Sequence, residues 1–325
     1  MDLSVIYVNW NSVNYLCNSI NSVYTYTQGL SFEIIVIDNA SPEGGTDVLK
    51  QHFPDILLVK SSDNLGFAGA NNLGFKLSSG KLVLFLNPDT VLLDPAINVM
   101  IDRTTNLAKV GIIGCKLLNT DLSVQLTAIQ KFPTILNQLL DAEYLQLRWP
   151  GCPLWKIAPL FASDVKLTEV EVISGACMLL RREVFNQVEM FSEEYFMYAE
   201  DIDLNYKVTK AGYKNYYIGD AAIIHHGGKS SSRQTGTYWS TVMKYRAMRT
   251  LFQKTHGRPY GALYRASVGC AAAVRLLLLL LAYPVGNLLW ERQRITSASR
   301  KWQVILKWAV GWPGLAAENR QKALG

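Results

Sequence analysis

This chain makes little use of cysteine. Its five cysteines, Cys17, Cys115, Cys152, Cys177 and Cys270, are scattered and form no C-x-x-C pair. That argues against a disulfide framework and a zinc site, and points to reduced thiols in a cytoplasmic protein. No G-x-G-x-x-G follows the first strand pattern, which argues against a nicotinamide-dependent dehydrogenase. The same place, Asn9-Trp10-Asn11-Ser12-Val13-Asn14, holds no Lys or Arg. A sugar nucleotidyltransferase, which wants a basic Gly-rich loop there, is disfavoured. Histidine is scarce, with four in 325 residues. There is no internal repeat and no long low-complexity segment. Met1–Asn9 already reads as a strand, so no secretory leader is expected at this start.

What is present describes a folded protein. Hydrophobic content of 49% and charged content of 18% set the chain apart from disordered ones. Its length allows one large or two small domains with a real core. Charge is unevenly placed. From Lys244 to Gly325 there are 14 Lys and Arg against Glu291 and Glu318, a net of +12. The whole chain carries +6, so Met1–Met243 carries −6. A basic tail on an acidic body suits an anionic partner surface. The apolar neighbours of these charges favour a membrane over nucleic acid.

The first half alternates strand and helix patterns. Apolar runs at 3–8, 33–37, 56–59, 82–86 and 110–115 predict strands. Helical stretches lie between them at 14–26, 46–52, 68–78 and 94–106. Such alternation predicts an α/β fold, with a mostly parallel central sheet and helices on both faces. Apolar character throughout each strand fits burial on both faces. From Thr120 to Thr168 the pattern blurs. Strands are expected again at 169–174, 177–180, 213–218 and 221–225, with a helix at 201–211. After about Tyr238 everything reads as helix.

Several strand ends carry chemistry. Asn87-Pro88-Asp89 follows the run Leu82–Leu86. A carboxylate at the carboxyl edge of an open sheet sits where ligands bind, and it suits a divalent cation under a diphosphate. Asp38 ends the second strand, where it can accept from a ribose hydroxyl or a base N–H. Asn64-Leu65-Gly66-Phe67 leads into a helix whose free N–H groups favour a phosphate, with Asn71 one turn further on. Glu200, Asp201 and Asp203 follow the aromatic approach Tyr195-Phe196-Met197-Tyr198. At a helix N-terminus one of them could take a proton from an attacking hydroxyl. His225-His226 closes a strand, so only one of the pair should face a site. Lys229 and Arg233 in the loop beyond could close on a diphosphate. Each motif has a plainer reading as a turn former or helix cap.

Together these residues resemble the family 2 glycosyltransferases of the GT-A fold, and most closely the rhamnosyltransferase-like branch of bacterial surface-polysaccharide synthesis. The resemblance covers roughly residues 3–232. It is carried by Val5–Asn11, Ile37–Ser41, Asn64–Ala68, Asn87–Asp89, Ser174–Ala176, Glu200–Leu204 and the His225-x-Gly-Gly-x-Ser run. It implies an inverting, metal-dependent hexosyltransferase. Val8, Asn9 and Asp38 would hold the nucleoside. Asp89 and His225, rather than His226, would bind Mg²⁺ or Mn²⁺. Asn87 stands where the commoner motif of this fold has a first acid. Asp201 matches the catalytic base. The implied donor is a dTDP- or UDP-sugar, with dTDP-L-rhamnose favoured. The implied acceptor is a saccharide or polyprenyl-linked saccharide. A non-catalytic nucleotide-sugar or membrane-binding protein is the competing class, but it would not need both Asp89 and Asp201.

Residues 1–237 are thus expected to form the GT-A domain, and 238–325 a basic, apolar helical extension. A membrane span needs about 20 apolar residues. Cys270–Trp290 nearly qualifies, but Arg275 and the Pro284-Val285-Gly286-Asn287 stretch interrupt it. A helix in the interface, flanked by Arg265, Arg292 and Arg294 and followed by Trp302, Trp308 and Trp312, is expected instead. The protein would then be peripheral on the inner face of the cell membrane. A buried helix or a homo-oligomer interface is the alternative.

Overall fold

The computed structural model describes residues 1–140, 148–149, 152, 165–227, 238–289 and 292–312. Its elements in chain order are β1 (Leu3–Asn9), α1 (Val13–Tyr26), β2 (Phe32–Asp38), α2 (Asp47–His52), β3 (Leu57–Lys60), α3 (Gly66–Leu77), β4 (Leu82–Leu86), β5 (Thr90–Leu92), α4 (Ala96–Thr104), β6 (Val110–Leu118), β7 (Ile129–Gln130) and α5 (Ile135–Leu139). Then come β8 (Leu167–Val170), β9 (Val172–Ile173), β10 (Cys177–Arg181), α6 (Arg182–Gln187), α7 (Glu200–Lys210), β11 (Lys214–His225), α8 (Trp239–His256), α9 (Arg258–Leu289) and α10 (Arg292–Val310).

The main sheet runs β3-β2-β1-β4-β10-β6-β11-β5, with β8 paired to β11. The first four strands in that order are parallel. The sheet is apolar on both faces for the reason the sequence suggests. Leu3, Val5 and Tyr7 of β1 enter one core cluster, and Ile6 between them enters the other. Period-two geometry sends neighbours to opposite faces, and both faces are covered. The fold is the expected mixed α/β arrangement with a helical C-terminal extension.

Three local expectations need correction. The stretch 169–174 is not one strand. Its chain turns at Glu171, so β8 joins the main sheet and β9 pairs with β7. The runs 213–218 and 221–225 are one strand, β11, whose register against β6 shifts between Ile218 and Ala222. Pro284–Asn287 does not end its helix, because α9 continues to Leu289. The short strand β5 went unread in the sequence, since three residues give too little periodicity.

The chain divides into two compact units. One comprises residues 1–133 and 165–227; the other comprises 134–140 and 238–312. In the second unit, Val242, Phe252, Tyr264, Val268, Ala272, Ile305 and Trp308 form a core. Ile135 and Leu139 of α5 pack against it. Trp308 is buried there, and Trp302 lies under the Arg275 guanidinium at 4.2 Å. Both indoles thus serve the interior of this unit rather than an interface with lipid. Only Trp312 of the expected trio is exposed.

Candidate active site

The Asn87-Pro88-Asp89 turn joins β4 to β5 at the carboxyl edge of the sheet. A buried hydroxyl chain holds it. Tyr7 Oη meets Ser19 Oγ at 2.9 Å, and Ser19 Oγ meets Thr90 Oγ1 at 3.2 Å. Thr90 Oγ1 then donates to Asn87 O at 2.7 Å. β5 pairs antiparallel with β11, placing Thr90 opposite His225. That register brings His225 beside the buried Asp89 carboxylate, with His225 Nε2 3.4 Å from Asp89 Oδ1. Asn87 Nδ2 lies 3.3 Å from the same ring nitrogen. His226 turns elsewhere. Its Nδ1 meets Thr120 Oγ1 at 2.9 Å, and its ring lies 5.4 Å from that of Tyr15.

Gln125 escaped the sequence reading. It lies between β6 and β7, where no periodicity marks a site. Its Nε2 donates to His225 O at 2.5 Å, which fixes the amide orientation. Its Oε1 then faces His225 Nδ1 at 3.0 Å and accepts the proton there. With Nδ1 engaged by Gln125, Nε2 is the ring atom that faces Asn87 Nδ2 and Asp89. Asp89 Oδ1 and His225 Nε2 thus lie 3.4 Å apart, close enough for one cation to take both as ligands. This donor set fits a divalent cation with positions left open for diphosphate oxygens and water. Among the described residues there is no group of three or more His, Cys, Asp or Glu side chains suited to a metal.

The acidic segment approaches the same edge. Tyr198 and Ala199 both have positive φ, 72° and 65°. This strained turn starts α7 and is of a kind that collects at functional sites. Asp201 is partly buried. Its Oδ2 accepts from Gly175 N at 2.9 Å, and its Oδ1 from Ile202 N at 2.8 Å. The residue after Gly175 accepts from the turn, with Asn87 N donating to Ala176 O at 3.0 Å. One dipeptide therefore bridges Asp201 and the Asn87–Asp89 turn. Burial raises the Asp201 carboxyl above its ordinary value, opposed by the two amides that donate to it. Burial, and then the neighbouring Asp201 charge, push Glu200 up to about 8. Glu200 Oε2 is buried without a hydrogen-bond partner. Of the two carboxyls, Asp201 is the one held by backbone amides, which favour its charged form, while Glu200 has burial and a neighbouring acid against its charge. Asp203 has a scaffold role: it accepts from Ser192 Oγ at 2.5 Å and Tyr195 Oη at 3.3 Å.

The remaining candidates are partly engaged by the protein itself. Asn9 and Asp38 are buried, and Asn9 Nδ2 donates to Asp38 Oδ1 at 3.3 Å and to Ser41 Oγ at 3.1 Å. Asp38 Oδ2 accepts from Thr46 Oγ1 at 2.8 Å. Val8 pairs with Ile37 and is partly exposed. The start of α3 does not offer the free amides expected of a phosphate site. Leu65 N donates to Asn39 Oδ1, Gly66 N to Asn64 Oδ1 and Phe67 N to Phe196 O. Asn71 is buried and donates back to Phe67 O at 2.9 Å. Gly66 has φ +70°, and a Cβ there would overlap the Phe196 carbonyl. This loop therefore clamps the approach to α7. Lys229 and Arg233 lie outside the described residues.

An open, mostly parallel sheet that gathers an Asp, a His and a second carboxylate at its carboxyl edge is the frame of a GT-A glycosyltransferase. Residues 4–189 match the model of Glycosyl transferase family 2, and the chain belongs to that family. An N-acetylglucosaminyl-diphospho-decaprenol L-rhamnosyltransferase of Mycobacterium tuberculosis is 29% identical over 216 residues, covering 63% of this chain and 70% of that protein. Rhamnosyltransferase WbbL of Escherichia coli is 27% identical over 205 residues, covering 60% and 73%. Among solved structures, mannosyltransferase PcManGT of Pyrobaculum calidifontis, in complex with GDP-Man and Mn²⁺, has a TM-score of 0.58 at 16% identity. It covers 98% of this chain and 87% of its own, and at that identity the likeness shows the fold alone.

Proposed function

We propose that this glycosyltransferase moves a sugar, with inversion, from a nucleotide-diphosphate donor to a saccharide or polyprenyl-linked saccharide acceptor. The observation that carries the reading is the Asp201 carboxylate, bridged by Gly175-Ala176 to the Asn87-Pro88-Asp89 turn. Asp201 accepts the proton of an acceptor hydroxyl. The hydroxyl oxygen attacks the anomeric carbon as the bond from that carbon to the diphosphate oxygen breaks. The amides of Gly175 and Ile202 keep the carboxylate aimed while it holds the charge. Asp89 and His225 would hold Mg²⁺ or Mn²⁺, which neutralises the departing diphosphate when bound. L-Rhamnose is the favoured sugar, supported by the mycobacterial and E. coli relatives, both rhamnosyltransferases; dTDP as its carrier is what the family resemblance implies. The decaprenol-linked acceptor of the mycobacterial protein supports a lipid-linked acceptor, and with it a cytoplasmic protein at the membrane surface.

Asp201→Asn keeps the size of the side chain and removes the base. It should still bind donor and metal yet transfer sugar at least ~10²-fold more slowly, the lower end of general-base effects. NMR of the product should show the anomeric configuration inverted. Near wild-type transfer by Asp201→Asn, with a folded but inactive Glu200→Gln, would move the base to Glu200. Release of nucleoside diphosphate that does not depend on acceptor would remove the transferase reading.

A further inference from the structure

We propose that α9 lies in the plane of an anionic lipid surface, with its Leu263–Leu281 face inserted, and does not cross the membrane. This rests on the membrane-surface reading above and adds the docking face and its orientation. Leu263, Val274, Leu277, Leu278, Leu280 and Leu281 are each more than half exposed. Every exposed residue from Ala262 to Leu281 is Ala, Cys, Val or Leu. Positions 263, 266, 270, 274, 277 and 281 recur at intervals of three and four, so they form one stripe. Leu263 to Leu281 spans about 27 Å at the helical rise.

The two arginines within 262–281 point the other way. Arg265 Nε donates to Ala309 O at 2.8 Å. Arg275 Nη2 donates to Leu139 O at 2.8 Å, and its guanidinium covers Trp302. Arg275, which interrupts the apolar run in the sequence, is therefore satisfied inside the unit. The helix therefore presents an apolar face outward as well as the Tyr264, Val268 and Ala272 face that enters the core, unlike a helix whose outer face meets water.

By length and composition alone, Arg258–Leu281 is apolar enough to span a bilayer, with a mean hydropathy of 1.6. Its neighbour decides against that. Arg265 meets Ala309 and Arg275 meets Trp302, so α10 runs antiparallel alongside α9. On α10, Arg300, Lys301 and Lys307 are exposed at those same levels. If α9 crossed the membrane, these cations would be carried into hydrocarbon, where charge is costly. With α9 in the plane they stay among the headgroups. A second copy of the chain is the competing occupant of this face. A two-fold contact would bring two tails of +12 together, whereas anionic lipid complements them.

The test uses the full chain with vesicles of phosphatidylcholine, alone or mixed with phosphatidylglycerol. Wild type should sediment with the mixed vesicles. Leu277→Ser/Leu278→Ser/Leu281→Ser should lose at least about tenfold in binding at low and high salt, with an unchanged melting temperature. Arg300→Gln/Lys307→Gln should lose binding at low salt only, since charge attraction is screened at high salt. For orientation, a polarity-sensitive label is placed in turn at Cys270, at Leu263→Cys and at Leu281→Cys. The single-site proteins carry Cys17→Ser and Cys152→Ser, and Cys270→Ser where another site is labelled. Brominated lipids should quench all three labels at one shallow depth. A depth that changes steadily along the helix would mean a span and overturn the proposal. Undiminished sedimentation of the triple Ser variant would overturn the docking face. Wild type that ignores vesicles and forms a dimer broken by the triple Ser variant would assign the face to a second copy. Vesicle binding is read without catalysis, so its failure leaves the transfer reaction to be judged by Asp201→Asn.

Discussion

The Gln125 side chain makes two contacts with one residue, the ring nitrogen and the backbone carbonyl of His225. It acts on the site through that imidazole, as a positioning residue. Partners of this kind typically contribute ~10–100-fold in metal affinity. Calorimetry of donor binding with Mn²⁺ should give a graded series. Asp89→Ala should abolish the metal-dependent part, and His225→Ala should weaken it. Gln125→Leu should weaken it by roughly 10-fold or more. His226→Ala should change little, because its ring contacts Thr120 and Tyr15 instead. Equal losses in folded His225→Ala and His226→Ala would contradict the assignment. Strand alternation says only that one of the two histidines faces the site; the choice of His225 is what the family resemblance implies. Gln125 was not legible in the sequence, because its link to His225 crosses one hundred residues of chain and starts in an irregular stretch.

At the scale of the element, the start of α7 is where stability and chemistry oppose each other. Glu200 is buried, one of its oxygens lacks a partner, and a second acid follows it. Its carboxyl moves from an ordinary 4.5 to about 8, so between those values the folded protein binds more protons than the unfolded one. The stability this proton provides is fully present below about pH 4.5 and is lost as pH rises through about 8. Asp201, also raised, adds a slope of the same sign. Urea unfolding of wild type at a series of pH values should show stability declining across that window. Glu200→Gln should flatten the decline, because a neutral amide has no proton to lose. An unchanged slope would mean that Glu200 is solvated in the folded state. The sequence indicated three acids at a helix start. Only packing distinguishes the buried Glu200, the amide-held Asp201 and the scaffold residue Asp203.

At the scale of the whole molecule, the second compact unit is discontinuous in sequence. Ile135 and Leu139 of α5 complete a core otherwise built from α8, α9 and α10. Truncation after Thr237 would strip α5 of that core and leave two large apolar side chains uncovered. The truncated protein should aggregate or elute early on size-exclusion chromatography. Adding Ile135→Ser/Leu139→Ser should restore a monomer. A soluble, monomeric truncation without those changes would show that α5 does not depend on the tail.

Local pattern alone determined that strands alternate with helices, that acids end β2 and β4, and that a basic helical tail follows. Those features depend on side-chain periodicity and on turn chemistry within a few residues. Tertiary structure decided the rest. The β5–β11 register put His225 against Asp89, and the Phe196 backbone took an amide that α3 was expected to offer a phosphate. Carbonyls of Leu139 and Ala309 turned two arginines inward and left the outer face of α9 apolar. In each case the partner comes from a distant part of the chain, so no local window contains both halves of the interaction.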